Sequence, residues 1–359
     1  MKTYTYSILA ALFACGMAQG AATAYTTPVG YLTLDIPANS DSNVGQPFIR
    51  GIAYQGVATS VVGSVVNLPA NAGLTVNQFV YSSPSQPNSY YLQVDGGSLN
   101  GRYFDVVSNT ATSITVDNGT TDISSVVNVK VIPFWTLNTL FPGGAGVGTS
   151  LDELESNGVV QFRSLNTGIN RPSPKTYFHY TGVAEQGTGW YDLNDLSLGL
   201  QNDLTIDPYI PARVRNQGFA KTATITGTVP TSDVATPIVT ATGQNDNYLT
   251  VQFPTDVTLA ESGLSAVLTP STDILDAIDV IQIYNETAPG INKPVLRTFF
   301  YYTGIEEQGT GFYDNDNNSL GKQDDVLGIL KAGRVYTIRR AGGTPGTAHA
   351  VSIPGYDLP

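Results

Sequence analysis

The chain is nearly without cysteine: Cys15, close to the N-terminus, is the single one among 359 residues. If the leader that holds it is removed, no disulfide and no cysteine-ligated metal remains, so stability must come from packed layers. Histidine is almost as scarce, with His179 and His349 alone, and an internal repeat puts Tyr301 where His179 stands. A His-dependent triad or a His-rich zinc site has little to build on. Positive charge is also short. The 17 Lys and Arg stand against 29 Asp and Glu, a net charge of −12 that repels phosphate backbones and anionic headgroups, which argues against nucleic acid as a partner. No Gly-rich loop runs into Lys and Ser/Thr, and no dinucleotide fingerprint joins a strand to a helix. Beyond the leader no apolar run of about 18 residues is present to span a bilayer.

Charged residues are only 13% of the chain, whereas 37 Gly, 21 Pro and 20 Tyr, with runs of Thr, Val and Ser, favour strands joined by tight turns. Met1 and Lys2, an apolar stretch from Ser7 to Ala14 and the small residues Ala22, Thr23 and Ala24 have the order of a secretory signal peptide, with the mature chain starting at Tyr25. A second reading takes Leu12, Phe13, Ala14 and Cys15 as a lipoprotein box with Cys15 lipidated, although Phe13 is bulky for that place. Either way the expected destination is the periplasm, cell surface or extracellular space.

Leu32, Leu34 and Ile36 alternate with Thr33 and Asp35, as a half-buried strand requires, and Pro37 ends it. Arg102 to Val116 reads as a hairpin turning at 108–111, with Phe104, Val106, Ile114 and Val116 on one face. Phe141 to Thr149 reads as a Gly-rich linker; Ser150 with Glu153 suggests a capping box, and a second short helix is expected over Asp256–Ser262, closed by Gly263.

One unit is written twice. Positions 181–192 (Thr-Gly, two variable residues, then Glu185, Gln186, Gly187, Thr188, Gly189, Trp190, Tyr191, Asp192) return at 303–314, where Glu307, Gln308, Gly309, Thr310, Gly311, Phe312, Tyr313 and Asp314 close the same pattern. Nine of the twelve positions are identical at a constant offset, where chance gives about one in twenty per position, so the segment is duplicated. Gly168, Ile169, Asn170 and Pro172 pair likewise with Gly290, Ile291, Asn292 and Pro294, and Ser197 to Asp203 with Ser319 to Asp325. Fainter matches align Val127, Val129 and Val131 with Leu249, Val251 and Phe253, and Tyr31–Pro37 with Tyr248–Pro254. The expectation is an all-β chain of tandem sandwich-like or barrel-like domains with one or two short helices. The divisions are a signal peptide over 1–24, an N-terminal β domain over 25–127, and repeat domains over 128–245 and 246–359. The Gly residues of the repeated turn are expected to supply positive φ or close approach.

With Pro28-Val29-Gly30-Tyr31 at its opening and the duplicated aromatic hairpin, the chain from Pro28 to about Arg340 resembles a family of exported, β-rich bacterial proteins to which no activity is attached. The resemblance implies export and carries over no site residues.

Asp314, Asp316, Asn318 and Asp325 space oxygen ligands as a Ca²⁺ loop does, with Ser319 where an EF-hand has Gly and Asp where it ends in Glu; the first copy has Leu196 in place of one ligand. The alternative is a solvated Asn/Asp turn. Trp190, Tyr191, Phe312 and Tyr313 are candidates for a ligand-facing surface, and Tyr90, Tyr91, Tyr301 and Tyr302 for a carbohydrate surface, against ordinary strand packing. The pairs Glu185 with Asp192 and Glu307 with Asp314 offer acid and base for a glycoside, against a turn that Glu caps. The function read from these residues is an exported structural, adhesive or binding protein without catalysis, with envelope components, proteins or glycans as partners; the rival is a carbohydrate-binding module or glycoside hydrolase.

Overall fold

The computed structural model of the protein describes residues 27–117, 127–152, 156–164, 166–182, 186–304 and 308–356. The N-terminal segment read as a leader, with Cys15, and the residues Glu153, expected in a helix cap, Glu185 and Glu307, expected in the repeated turn, lie outside the described residues.

The fold is all-β, and among the described residues none of its sheets closes into a barrel. The chain opens with β1 (Val29–Ile36) and β2 (Ser40–Val44). There follow β3 (Tyr54–Val57), β4 (Ser60–Val62), β5 (Val65–Asn67), β6 (Tyr90–Asp95), β7 (Tyr103–Asn109), β8 (Ser113–Val116) and β9 (Asn128–Pro133). After β10 (Trp135–Thr136) and the single α-helical turn α1 (Leu137–Leu140) come β11 (Thr149–Ser150), β12 (Gly158–Phe162), β13 (Lys175–Tyr180), β14 (Gly189–Asp192), β15 (Thr205–Ile206), β16 (Ala212–Asn216) and β17 (Lys221–Thr228). The last unit has β18 (Val234–Thr240), β19 (Asn245–Thr250), β20 (Val280–Tyr284), β21 (Val295–Tyr302), β22 (Gly311–Asp314), β23 (Val335–Arg340) and β24 (Gly346–Ser352).

The duplication extends to topology. One unit is a five-stranded path β2-β16-β12-β13-β14 with the ribbon β1-β17, and the other is β19-β23-β20-β21-β22 with the ribbon β18-β24. Registers agree: Tyr177 faces Asp192 as Phe299 faces Asp314, and Val29 faces Thr228 as Val234 faces Ser352. The offset is therefore 205 residues at Val29/Val234 but 122 at Tyr177/Phe299. The difference is an inserted domain, the seven-stranded sheet β3-β9-β6-β7-β8-β5-β4, which lies in the chain between the second and later strands of the first unit.

This corrects the boundaries expected at 127/128 and 245/246. Edge pairing of β2 with β16 and of β1 with β17 claims residues 29–44 for the first repeat, so that unit is discontinuous in sequence. The faint match of Val127–Val131 to Leu249–Phe253 is not a fold equivalence, since β9 sits inside the inserted sheet while β19 is the edge strand paired to β23. The strand matching Tyr31–Ile36 is β18, not Tyr248–Thr250 of β19.

Each unit packs its ribbon over one face of its sheet. In the first, Leu34, Ile36, Ala223 and Ile225 of the ribbon meet Val160, Tyr177, Trp190 and Val214 of the sheet; in the second, Val234, Ile238 and Ala350 meet Leu249, Ile281, Phe299 and Phe312. Phe141 and Val147 are wholly buried in the first core, so 141–149 is packed chain and not a linker. Among the described residues α-helix is confined to α1, whose Thr136 and Thr139 form a reciprocal cap, with short 3-10 turns elsewhere. Thr258 and Glu261 build the same cap in the second unit over a turn that never becomes the helix expected at Asp256–Ser262. Ser150, expected to open a helix, instead pairs in parallel with Tyr180. The hairpin expected at Arg102–Val116 is β7-β8, with a bulge between Val106 and Ser108 that moves its turn to 110–112.

The insertion is clamped to the connector between the units. Lys130, 2% exposed, donates from Nζ to Thr231 Oγ1 at 2.9 Å and to Ser232 Oγ and pairs with Asp95 at 3.4 Å. Asn100 Nδ2 donates to Asp233 Oδ2 at 2.7 Å.

Candidate functional site

The repeated aromatic hairpins are structural. His179 pairs across the strands with Trp190, placing both on the ribbon side, while Phe178, Tyr180 and Tyr191 cluster on the other face of the sheet. The second copy sorts Phe299 and Phe312 from Phe300, Tyr302 and Tyr313 in the same way. A strand covered on both faces needs an unbroken apolar run, which is why these segments lack alternation. Trp190, Phe312 and Tyr313 are accordingly buried in place of the ligand-facing surface considered for them, whereas Tyr191, also buried, lines with Phe178, Tyr180 and Leu200 a cavity of about 390 Å³; Tyr90, Tyr91 and Tyr302 are buried as well. His179 is buried on Trp190 at 5.3 Å, and burial lowers its pKa.

The turn residues do local work. Tyr191 donates its hydroxyl to the carbonyls of Gln186 and Gly187, and Tyr313 does the same to Gln308 and Gly309. Gly187 and Gly309 take φ of 82° and 75°, a region open chiefly to glycine. Gly189 and Gly311 start the return strands, where Asn202 and Asp324 accept from the amides of Trp190 and Phe312.

Two of the side chains proposed for Ca²⁺ have their oxygens engaged: Asp314 accepts from the amides of Asp316 and Asn317, and Asp316 from Thr298. Asn318 donates from Nδ2 to the Ile274 carbonyl while its Oδ1 is buried without a hydrogen-bond partner, and Asp325 is exposed. Asp192 caps Asn194 as Asp314 caps Asp316. Among the described residues no three His, Cys, Asp or Glu are grouped to hold a metal ion, and this loop is built as an Asx turn.

What the duplication does build is a junction. The loop between β12 and β13 crosses to the second unit, where the Asp246 amide donates to the Gly168 carbonyl at 3.0 Å and the Asn170 amide donates to Asp246 Oδ2 at 2.7 Å. The loop between β20 and β21 crosses back: the Asp41 amide donates to the Gly290 carbonyl at 3.0 Å and the Asn292 amide to Asp41 Oδ2 at 3.2 Å. Each aspartate is also held by a two-pronged arginine of its own unit, Arg339 at 2.8 and 3.1 Å on Asp246, Arg215 at 2.8 and 3.0 Å on Asp41. Asn170 and Asn292 adopt φ of 49° and 51°, which Asn tolerates. Burial pushes the Asp41 carboxyl up, but the bonds from Arg215 and Asn292 and the charge of Arg213 bring it below the ordinary value.

Between the two loops lies a cleft of about 510 Å³ whose walls include Asp41, Arg163, Arg171, Arg213, Glu286 and Lys293. Arg163 and Arg171 both stack on the Tyr248 ring, each guanidinium carbon 5.2 Å from its centroid. Arg213 donates to Gln161 and Ser173 at 3.0 Å and stands 3.8 Å from Asp41. Its pKa is lowered by burial and then by the charge of Arg163. Glu286 accepts from Asn43 at 2.9 and 3.2 Å and pairs with Lys293 at 3.8 Å. The sequence reading passed over these cations. Their signal was the unequal loops, since the repeat aligns Lys293 with Arg171 but sets Arg163–Thr167, without a carboxylate, against Tyr284–Pro289, which holds Glu286.

A second cavity of about 290 Å³, where the insertion meets both units, is lined by Tyr103, Asp105, Asp117, Asp207, Tyr209 and His349. Burial, then the charges of Asp105 and Asp117, push the Asp207 carboxyl up to about 6 from 3.8. Between those values the folded chain holds a proton that the unfolded chain has released, so stability falls as pH rises through the window and the full cost is present above pH 6. Asp207→Asn is therefore expected to raise stability at pH 7 by about 1–3 kcal/mol and to change it little at pH 3.5, measured by urea unfolding at both pH values.

Comparison of the chain with protein-family models, with curated proteins and with solved structures finds no match in any of the three.

Proposed function

We propose that the chain is an exported, non-catalytic binding and structural protein of the bacterial envelope or extracellular space, with the cleft between its repeats as the ligand-facing element. The observation that carries this reading is the use of the duplicated segment: its rings are buried in two cores and its turn groups bond locally, while the flanking loops join the units around an open cleft. Export rests on the charged start, apolar stretch and Ala22-Thr23-Ala24 site, and mass spectrometry of the mature protein is expected to find Tyr25 at its N-terminus, or a lipid on Cys15 if the box is used.

The hydrolase reading draws its specific support from Asp207, a carboxyl poised near 6 beside Asp105 and Asp117 in a cavity. Incubating the purified chain with a panel of polysaccharides separates the two. Retention of polymer without release of reducing ends is expected; release that disappears in Asp207→Asn makes the protein a glycosidase.

A further inference from the structure

We infer that the cleft between the repeats binds an oxyanion, a carboxylate, sulfate or phosphate group carried on a ligand of sugar size, held by Arg163, Arg171 and Arg213. The inference deepens the binding reading above and rests on it.

Charge pairing is the first argument. Six cations stand in or against the cleft, Arg163, Arg171, Arg213, Arg215, Lys293 and Arg339, with three carboxylates, Asp41, Asp246 and Glu286. Arg215 holds Asp41, Arg339 holds Asp246 and Lys293 holds Glu286, which leaves three guanidiniums over. Among the described residues Arg163 and Arg171 have no ion-pair partner, and Arg213 has only a 3.8 Å approach to the already paired Asp41. In a chain of net charge −12 this excess is local, and a cleft walled by protein focuses its field toward an incoming anion.

The duplication supplies the control. In the second copy the loop cation Lys293 has Glu286 beside it, whereas the first copy has Arg171 and no carboxylate anywhere in Arg163–Thr167, the one-residue-shorter stretch that answers Tyr284–Pro289. Register places Gln282 opposite Thr337 as Gln161 is opposite Arg213, so the second copy lacks that arginine also. The two halves share a backbone plan, and the unneutralised charge belongs to one of them. A junction that served packing alone would have no need of it, because burial and then the neighbouring charge of Arg163 disfavour the charge of Arg213 until an anion arrives.

Donor geometry is the third argument. Arg171 Nε is buried without a hydrogen-bond partner, although the same guanidinium donates to the Asn166 and Asp246 carbonyls. Stacking on Tyr248 holds Arg163 and Arg171 in one orientation, as a planar fork that recognises oxyanions requires. A volume of about 510 Å³ falls within the range of small-molecule sites.

The test is calorimetric titration of the full mature chain at low and physiological salt with inorganic phosphate, inorganic sulfate, a galacturonate oligosaccharide and dextran sulfate, with neutral dextran as control. Binding of at least one anionic probe, weakening with salt, is expected, and the probe that binds identifies whether the anion is free or carried on a glycan. Arg163→Gln with Arg171→Gln should weaken it at least tenfold in protein whose circular dichroism shows it folded at the titration temperature, while Arg297→Gln, outside the cleft, leaves it intact. Absence of binding by every anionic probe at millimolar concentration, or equal binding by the double variant, overturns the inference. Binding of neutral dextran that ignores these arginines also overturns it while leaving the binding reading standing; hydrolysis of a probe removes that reading instead.

Discussion

Asp246→Ala is expected to destabilise the protein by about 3–5 kcal/mol and to release the loop around Gly168 and Asn170 from the second unit. The side chain is 4% exposed and accepts from both prongs of Arg339 and from the Asn170 amide, so truncation leaves a half-buried guanidinium and a loop amide without their acceptor. Breaking one side of such a pair costs far more than the pair is worth against an apolar replacement. Asp41→Ala removes the matching acceptor from Arg215 and Asn292 and is expected to cost a similar amount. Because each aspartate bonds to the loop of the opposite unit, the two substitutions report on one junction. The double variant should lose less than the sum, since once one latch has opened the second has less to hold. Both tryptophans, Trp135 and Trp190, lie in the first core, so fluorescence in urea follows that unit while circular dichroism follows the whole. A loss below about 1 kcal/mol for either single variant, typical of an exposed ion pair, would show that the loops do not latch the units.

The junction also explains how far the sequence could be read. The aromatic hairpins were legible because duplication preserved their spacing, and the structure keeps their register residue for residue. Positive φ at Gly187 and Gly309 was legible for the same reason. The insertion was not, because strand pairing across it joins Val44 to Ala212, and a contact between residues so far apart leaves no periodic trace in either segment. Asp41 and Asp246 were invisible by the same mechanism: each sits on an edge strand, and its partners are an arginine directly opposite on the neighbouring strand, 174 or 93 residues away in sequence, and a loop of the other unit. The acidic loop at Asp314–Asp325 was legible only as far as its composition, since a Ca²⁺ loop and an Asx turn draw on the same residues and differ in where the oxygens point; Asp314 and Asp316 accept from backbone amides as an Asx turn has them.

Trp190→Ala is expected to cost about 3–5 kcal/mol, and Phe312→Ala a similar amount in the second unit. Neither ring has meaningful solvent access, at 0% and 1%, and each fills the space between its sheet and ribbon. The copies also predict which changes are mild. His179 with Trp190 occupies the cross-strand position that Tyr301 with Phe312 occupies in the second unit, with ring centroids 5.3 and 5.0 Å apart. Trp190→Phe alone leaves a gap and should cost about 1–2 kcal/mol, as large-to-smaller core changes do. Adding His179→Tyr rebuilds a pair that the fold already accommodates and should recover at least half of that loss, a coupling that independent sites do not show. Equilibrium unfolding of the four variants measures it. Full stability in Trp190→Ala together with lost ligand binding would return the ring to the surface role from which its burial removes it.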